Sequence, residues 1–147
     1  MLESIFKMNK FNSLHRSLMH QSGTELVKLH QLGSCRIIEL NRPAQLNSLN
    51  SEMVKAMTEA LICYSKSPAC STVIIKGCNS PTTGKPIFCA GGDVVSLVKA
   101  RESGKSWEDI SEFFKQEYAL NHLIGTYNKP IISFMDGICS THFLFVT

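Results

Sequence analysis

The sequence predicts an α/β protein in which strands and helices alternate. Three observations carry that prediction. A paired apolar stretch from Leu26 to Leu40 is broken by a glycine-containing turn. Two longer stretches set apolar residues at i, i+3 and i+4 behind a capping residue, the spacing of a helix with one buried face. Two short β-branched runs, "STVIIKG" and "KPIISFMDG", each end on glycine, as strands leading into turns do.

In chain order, "ELVKLHQLGSCRIIEL" reads as a β-hairpin. Leu26, Val27 and Leu29 lie in its first strand, Gln31 to Ser34 in the turn, and Cys35 to Leu40 in the second strand. Pro43 in "NRPAQLNSLNS" stops the strand, and Asn50 or Ser51 supplies an N-cap. A helix over Glu52 to Ser65 follows, with Met53, Val54, Met57, Leu61 and Tyr64 on one face. "STVIIKG" is free of charge until Lys76, which suits a strand covered on both faces in a parallel sheet. Gly77 to Pro86 is a loop, and Val94 to Arg101 a short helix.

"ESGKS" links to a second long helix from Trp107 to about Ile124. Ser106 and Asp109 form its capping box, and Ile110, Phe113, Phe114, Tyr118, Leu120, Leu123 and Ile124 its apolar face. The strand Ile131 to Met135 then repeats the earlier run-and-glycine pattern. Helices between parallel strands imply right-handed crossovers.

The 147 residues fit one domain, with 44% hydrophobic and 18% charged residues, an ordinary globular balance. No apolar run approaches the ~20 residues of a membrane span, so no membrane partner is expected. A net charge of +3 without a basic stripe argues against nucleic acid. Six cysteines without a C-x-x-C pair or regular spacing read as reduced thiols, several of them buried in or beside regular elements. The five histidines show no paired metal-ligand spacing. Residues 1–22 carry Lys7, Lys10 and Arg16 against the single acid Glu3, with helix-like apolar spacing at Ile5, Met8, Phe11, Leu14 and Leu18. That composition fits a mitochondrial presequence, with a disordered or docked arm as the alternative. Residues 23–147 form the remaining domain.

The informative stretch is "KPIFCAGGDVVSLVKA". Gly91 and Gly92 stand where a strand passes directly into a helix, and a lone acid, Asp93, follows. The first N–H groups of a helix have no internal acceptors, and glycine lets a ligand approach the backbone closely. A carbonyl oxygen held there is stabilised as negative charge develops on it, which describes an oxyanion hole. The simpler alternative is a tight turn with Asp93 as helix cap. Phosphate binding is a third alternative and ranks below both, because neither G-x-x-x-x-G-K-[ST] nor G-x-G-x-x-G occurs.

"LNRPAQLNSLNSEM", "VIIKG", "FCAGGDV" and "EYALNHLIGTYNKPIISFMDGI" occur in an order and spacing that resembles the crotonase (enoyl-CoA hydratase/isomerase) superfamily from about Glu25 to Ile138. Within it they are most similar to the 3-hydroxyisobutyryl-CoA hydrolases. The resemblance implies the N-terminal part of a crotonase-type ββα spiral and an acyl-CoA thioester ligand. By position in the motif, the first oxyanion N–H is that of Gly92. Ala44, Leu46, Asn47 and Leu49, with Ala90, Gly91 and Asp93, are the implied substrate-binding residues. No metal or redox cofactor is implied, since coenzyme A enters as part of the substrate, and homo-oligomers are the family habit. The implied reaction is hydrolysis of 3-hydroxyisobutyryl-CoA, a step of valine breakdown. The alternatives are enoyl-CoA hydration or isomerisation, and a non-catalytic fragment that binds CoA or partner subunits.

The family pattern places a glycine triplet after "DGI", with the second oxyanion donor at its middle. Here that triplet falls on Thr141, His142 and Phe143, and no Asp or Glu follows Asp136. The expectation is therefore a chain incomplete at its C-terminus. Its turnover alone would be at background, and apolar faces around Ile131 to Met135 would lie uncovered. His142 stands alone, with no second motif around it, and reads as a mobile or packed terminal residue rather than a substitute base. Glu112 and Glu117 read as solvated charges or structural salt bridges on the Trp107 helix.

Overall fold

The computed structural model describes residues 25–140; the expectations for 1–22 and for Thr141, His142 and Phe143 lie outside the described residues. Strands β1 (Val27–Leu32) and β2 (Cys35–Leu40) pair antiparallel, from Val27 opposite Leu40 to Leu32 opposite Cys35. The turn is tighter than expected. Gly33 adopts φ +59°, so the chain reverses over Gly33 and Ser34, and Gln31 and Leu32 remain in the strand.

A short 3₁₀ turn (Pro43–Gln45) leads to helix α1 (Ser51–Lys66), whose cap Asn50 accepts a 2.9 Å bond from the Met53 N–H. Strand β3 (Thr72–Gly77) runs parallel to β2, and β5 (Ile131–Phe134) runs parallel to β3. The main sheet therefore has the order β1-β2-β3-β5. Strand β4 (Ile87–Cys89) leaves this sheet and pairs in parallel with β6 (Ile138–Cys139), a strand the sequence reading did not anticipate. Helices α2 (Val94–Glu102) and α3 (Trp107–Gly125) lie between β4 and β5 in the chain, and the capping box of Ser106 and Asp109 opens α3.

One apolar cluster joins Met53, Val54, Met57 and Leu61 of α1 to Ile38, Leu40, Val73 and Ile75 of the sheet and to Phe113 and Leu120 of α3. This corrects the reading of "STVIIKG" as a strand covered on both faces. Val73 and Ile75 are fully buried, but Ile74 is only half-buried. The register aligns Ile37, Ile74 and Ile132 across the opposite face, and Ile132 and Phe134 on the edge strand β5 stay about half exposed. The buried stripe of α3 also differs from expectation. It consists of Ile110, Phe113, Glu117 and Leu120, while Tyr118 faces outward and Leu123 and Ile124 are half-buried.

After α3, the segment Tyr127–Lys129 closes the end of α1. The Lys129 Nζ donates to the carbonyls of Tyr64 (2.6 Å) and Ser67 (2.7 Å), and the Tyr127 hydroxyl donates to Leu61 (2.6 Å). These bonds satisfy carbonyls that a helix end otherwise leaves open, and they fix where β5 begins.

Candidate functional site

The site forms where two backbone segments run side by side. One is Leu46–Leu49, leaving the 3₁₀ turn; the other is Ala90–Asp93, leaving β4. Leu46 (φ 52°) and Asn47 (φ 55°) both occupy the left-handed region, a strained conformation for leucine that persists only where neighbours hold it. The holding groups are visible. The Ala90 N–H donates to the Leu46 carbonyl (3.0 Å), the Asn47 Oδ1 accepts from the Arg42 N–H (2.8 Å), and its Nδ2 donates to the Ile87 carbonyl (2.9 Å). Asn47 is fully buried.

Leu49 then forms a parallel bridge to Gly92. Its N–H donates to the Gly91 carbonyl (2.8 Å), and its carbonyl accepts from the Asp93 N–H (2.8 Å). Both residues flanking Gly92 are thus turned toward Leu49, and the Gly92 N–H is turned to the other side, as successive residues of an extended chain require. Among the described residues the Gly92 N–H donates to no acceptor, while its carbonyl accepts from the Val94 N–H (2.9 Å). Gly91 needs its glycine, because its φ of +87° disfavours any side chain.

Two ionisable groups flank this amide. Asp93 is buried and accepts bonds from the Ser96 N–H (3.0 Å) and Ser96 hydroxyl (2.6 Å), which cap α2, and from the Arg42 Nη1 at 2.6 Å. Burial alone would raise its pKa, but the bonds from Ser96 and Arg42 outweigh that and hold the carboxyl below its ordinary value. Glu117, only 7% exposed, comes from α3: a Cβ on Gly92 would lie 3.0 Å from its Oε1 and 3.3 Å from its Oε2. Behind the turn, burial pushes the Cys89 thiol up to about 12, although the Gly91 N–H donates to its sulfur at 3.3 Å.

The expected site residues divide accordingly. Gly92 and Ala90 are half-buried, and Ala44 and Leu46 lie at the surface. The side chains of Asn47, Leu49 and Asp93 are buried, and those of Asn47 and Asp93 are bonded within the fold around the turn. Of the two readings of Glu117, a solvated charge or a structural salt bridge, its burial excludes the first. The sequence signal was present, since it falls seven residues after Ile110 and three before Leu120 on the buried stripe. Glu112 is exposed, 3.5 Å from Lys115. Two clefts open nearby. One, of about 340 Å³, lies between α2 and α3 and is lined by Val94, Leu97, Val98, Trp107, Ile110 and Phe114, with Arg101 and Glu102 at its edge. The other, of about 470 Å³, includes Leu46, Ser80, Lys85, Pro86 and Ile138.

A strand end that runs through a glycine pair into a helix start, beside a mixed sheet, is the arrangement that comparison with known proteins places in a family. A family profile described as enoyl-CoA hydratase/isomerase matches residues 35–140, and the chain belongs to that family. A relative named 3-hydroxyisobutyryl-CoA hydrolase, mitochondrial, from Danio rerio is 33% identical over 137 residues, 93% of this chain and 33% of the relative. A Neurospora crassa relative named small ribosomal subunit protein mS47 is 40% identical over 115 residues, 78% of this chain and 22% of the relative. Among solved structures, a carnitinyl-CoA dehydratase from Mycobacterium thermoresistibile superposes with a TM-score of 0.68 at 34% identity, covering 78% of this chain and 32% of that one. The chain spans about a third of the length of the curated 3-hydroxyisobutyryl-CoA hydrolases it matches.

Proposed function

We propose that this chain binds an acyl-CoA thioester with the carbonyl oxygen at the Gly92 amide, and that the reaction this half-site serves is hydrolysis of 3-hydroxyisobutyryl-CoA to 3-hydroxyisobutyrate and CoA, which the chain alone does not turn over. The observation that carries the reading is the clamp by Leu49, which leaves the Gly92 N–H without an acceptor among the described residues. When water attacks a thioester, the carbonyl oxygen takes up the electron pair. A fixed N–H aimed at that oxygen lowers the barrier because it need not reorganise during the step. The Glu117 carboxylate, beside the same backbone, is placed to accept a hydrogen bond from the attacking water or from a hydroxyl on the acyl group. Coenzyme A arrives with the substrate, and no other cofactor is needed for this step.

The hydrolase reading is supported by relatives carrying that name in Danio rerio and Xenopus tropicalis, at 33% and 36% identity. Their names also support a mitochondrial location for this chain. Two other readings each have a specific observation in their favour. Enoyl-CoA hydration shares the scaffold with solved structures such as the enoyl-CoA hydratase from Rhodobacter sphaeroides, at 32% identity. A non-catalytic role is favoured by the 40% identity to a ribosomal subunit protein.

Calorimetric titration of the whole chain with 3-hydroxyisobutyryl-CoA, crotonyl-CoA and free CoA, with thiol release followed in parallel, separates these readings. Tightest binding to 3-hydroxyisobutyryl-CoA supports the hydrolase assignment. Tighter crotonyl-CoA binding supports a hydratase, and equal or absent binding supports the non-catalytic role. Thiol release is expected at background, because Thr141, His142 and Phe143 stand where the family carries glycine.

A further inference from the structure

Gly91 and Gly92 are adjacent, and two glycines in succession have more backbone freedom than any other pair. A donor on such a stretch is useful only if something outside the pair fixes its direction. Helix α2 packs only weakly: Leu97 is half-buried against the core, none of its residues is fully buried, and Val94, Val95 and Val98 are all more than half exposed. The bridge to Leu49 holds the pair from one side, and a single guanidinium nitrogen ties that bridge to the start of α2. The Arg42 Nη1 donates to the Asp93 Oδ2 (2.6 Å), the Ser48 carbonyl (3.1 Å) and the Ser48 hydroxyl (3.2 Å).

Those acceptors belong to the two segments that enclose Gly92. Ser48 precedes Leu49, which holds the Gly91 carbonyl and the Asp93 N–H; Asp93 follows Gly92 and caps α2 through Ser96. Arg42 is itself seated by the bond from its own N–H to the buried Asn47. The side chains of the pair are 15% and 7% exposed, so water screens them poorly.

We infer that Arg42 is a positioning residue: through Asp93 on one side and Ser48–Leu49 on the other, it sets the direction of the Gly92 amide. The inference rests on the thioester reading above. Removing Arg42 frees Asp93 and Ser48 together, and the amide loses its aim without losing any group that touches the ligand. Because one nitrogen meets all three acceptors, a lysine ammonium can replace part of that function, whereas methionine cannot.

The test compares the whole wild-type chain with Arg42→Met, Arg42→Lys and Asp93→Asn. Each is measured for affinity toward an acyl-CoA thioester and toward the matching S-alkyl-CoA thioether, which lacks the carbonyl, and for thermal midpoint. Asp93→Asn keeps the ability to cap α2 and so guards against simple loss of fold. Wild type should prefer the thioester by about two- to tenfold, the worth of one hydrogen bond. Arg42→Met and Asp93→Asn should bring that ratio close to one with thioether affinity retained, and Arg42→Lys should restore part of it. If wild type discriminates and Arg42→Met discriminates equally, with only its thermal midpoint lowered, Arg42 is structural and the inference fails while the thioester reading stands. If wild type does not discriminate, the thioester reading fails and takes the inference with it.

Discussion

The carboxylate of Glu117 lies against the backbone of Gly92, close enough that a methyl group on that residue would meet Oε1 at 3.0 Å. The φ of Gly92 is not in the left-handed region, so the backbone itself accepts alanine and the neighbouring carboxylate is the whole obstacle. Gly92→Ala is expected to cost about 1–2 kcal/mol by overpacking. In a Glu117→Ala background most of that cost should vanish. Thermal melts of the two single variants and the double variant measure the coupling; an unchanged cost in the second background would mean that the strain arises elsewhere.

Asn47 joins three segments with one amide. Its loss leaves the Arg42 N–H and the Ile87 carbonyl without their partner in a buried setting. It also puts a residue less tolerant of φ 55° at a left-handed position. Asn47→Ala should therefore destabilise by about 2–3 kcal/mol in urea unfolding. A change below a few tenths of a kcal/mol would show that water or a shift of the turn compensates.

Acid should loosen the same clamp. Asp93 is held below its ordinary pKa in the fold, against the effect of its burial, by Ser96 and Arg42. A group whose folded pKa is depressed stabilises fully above its unfolded value, about 3.9, and the contribution is lost as pH falls from there through the folded pKa. Stability followed from neutral pH to below pH 3 should fall more steeply for wild type than for Asp93→Asn. Parallel curves would remove Asp93 from the account.

The thiols should differ sharply in reactivity. Cys139 is exposed, whereas Cys89 is buried with its pKa pushed up to about 12, so little thiolate is present at ordinary pH. Under native conditions near pH 8, iodoacetamide should label Cys139 early and Cys89 last, as read by peptide mass spectrometry. Early labelling of Cys89 would mean that the strand pair β4–β6 opens readily.

Most of the fold was legible because its signals are local. The capping box at Ser106 and Asp109, the cap at Asn50 and the periodicity of α1 each depend on residues within a turn or two. The hairpin turn was read as longer than it is because Gln31 is polar, and only the φ of Gly33 reveals how abruptly the chain reverses. Strand β6 was missed because two residues carry no periodicity; it exists only through its partner β4. Gly92 is singled out by the motif, but what surrounds it is not. The bonds of Arg42 to Asp93 and of Asn47 to Ile87 span 51 and 40 residues, and no spacing rule reaches that far. For Glu117 the sequence left a solvated charge and a structural salt bridge both open, and only its place on the buried stripe of α3 decides against the first.

The central claim concerns a single N–H, and replacing the Gly91–Gly92 peptide bond by an ester removes that donor while leaving the shape intact. The whole chain bearing glycolate at position 92 should bind an acyl-CoA thioester about two- to tenfold more weakly than the all-amide chain, with unchanged affinity for the S-alkyl-CoA thioether. Equal thioester affinity in the two chains would contradict the account.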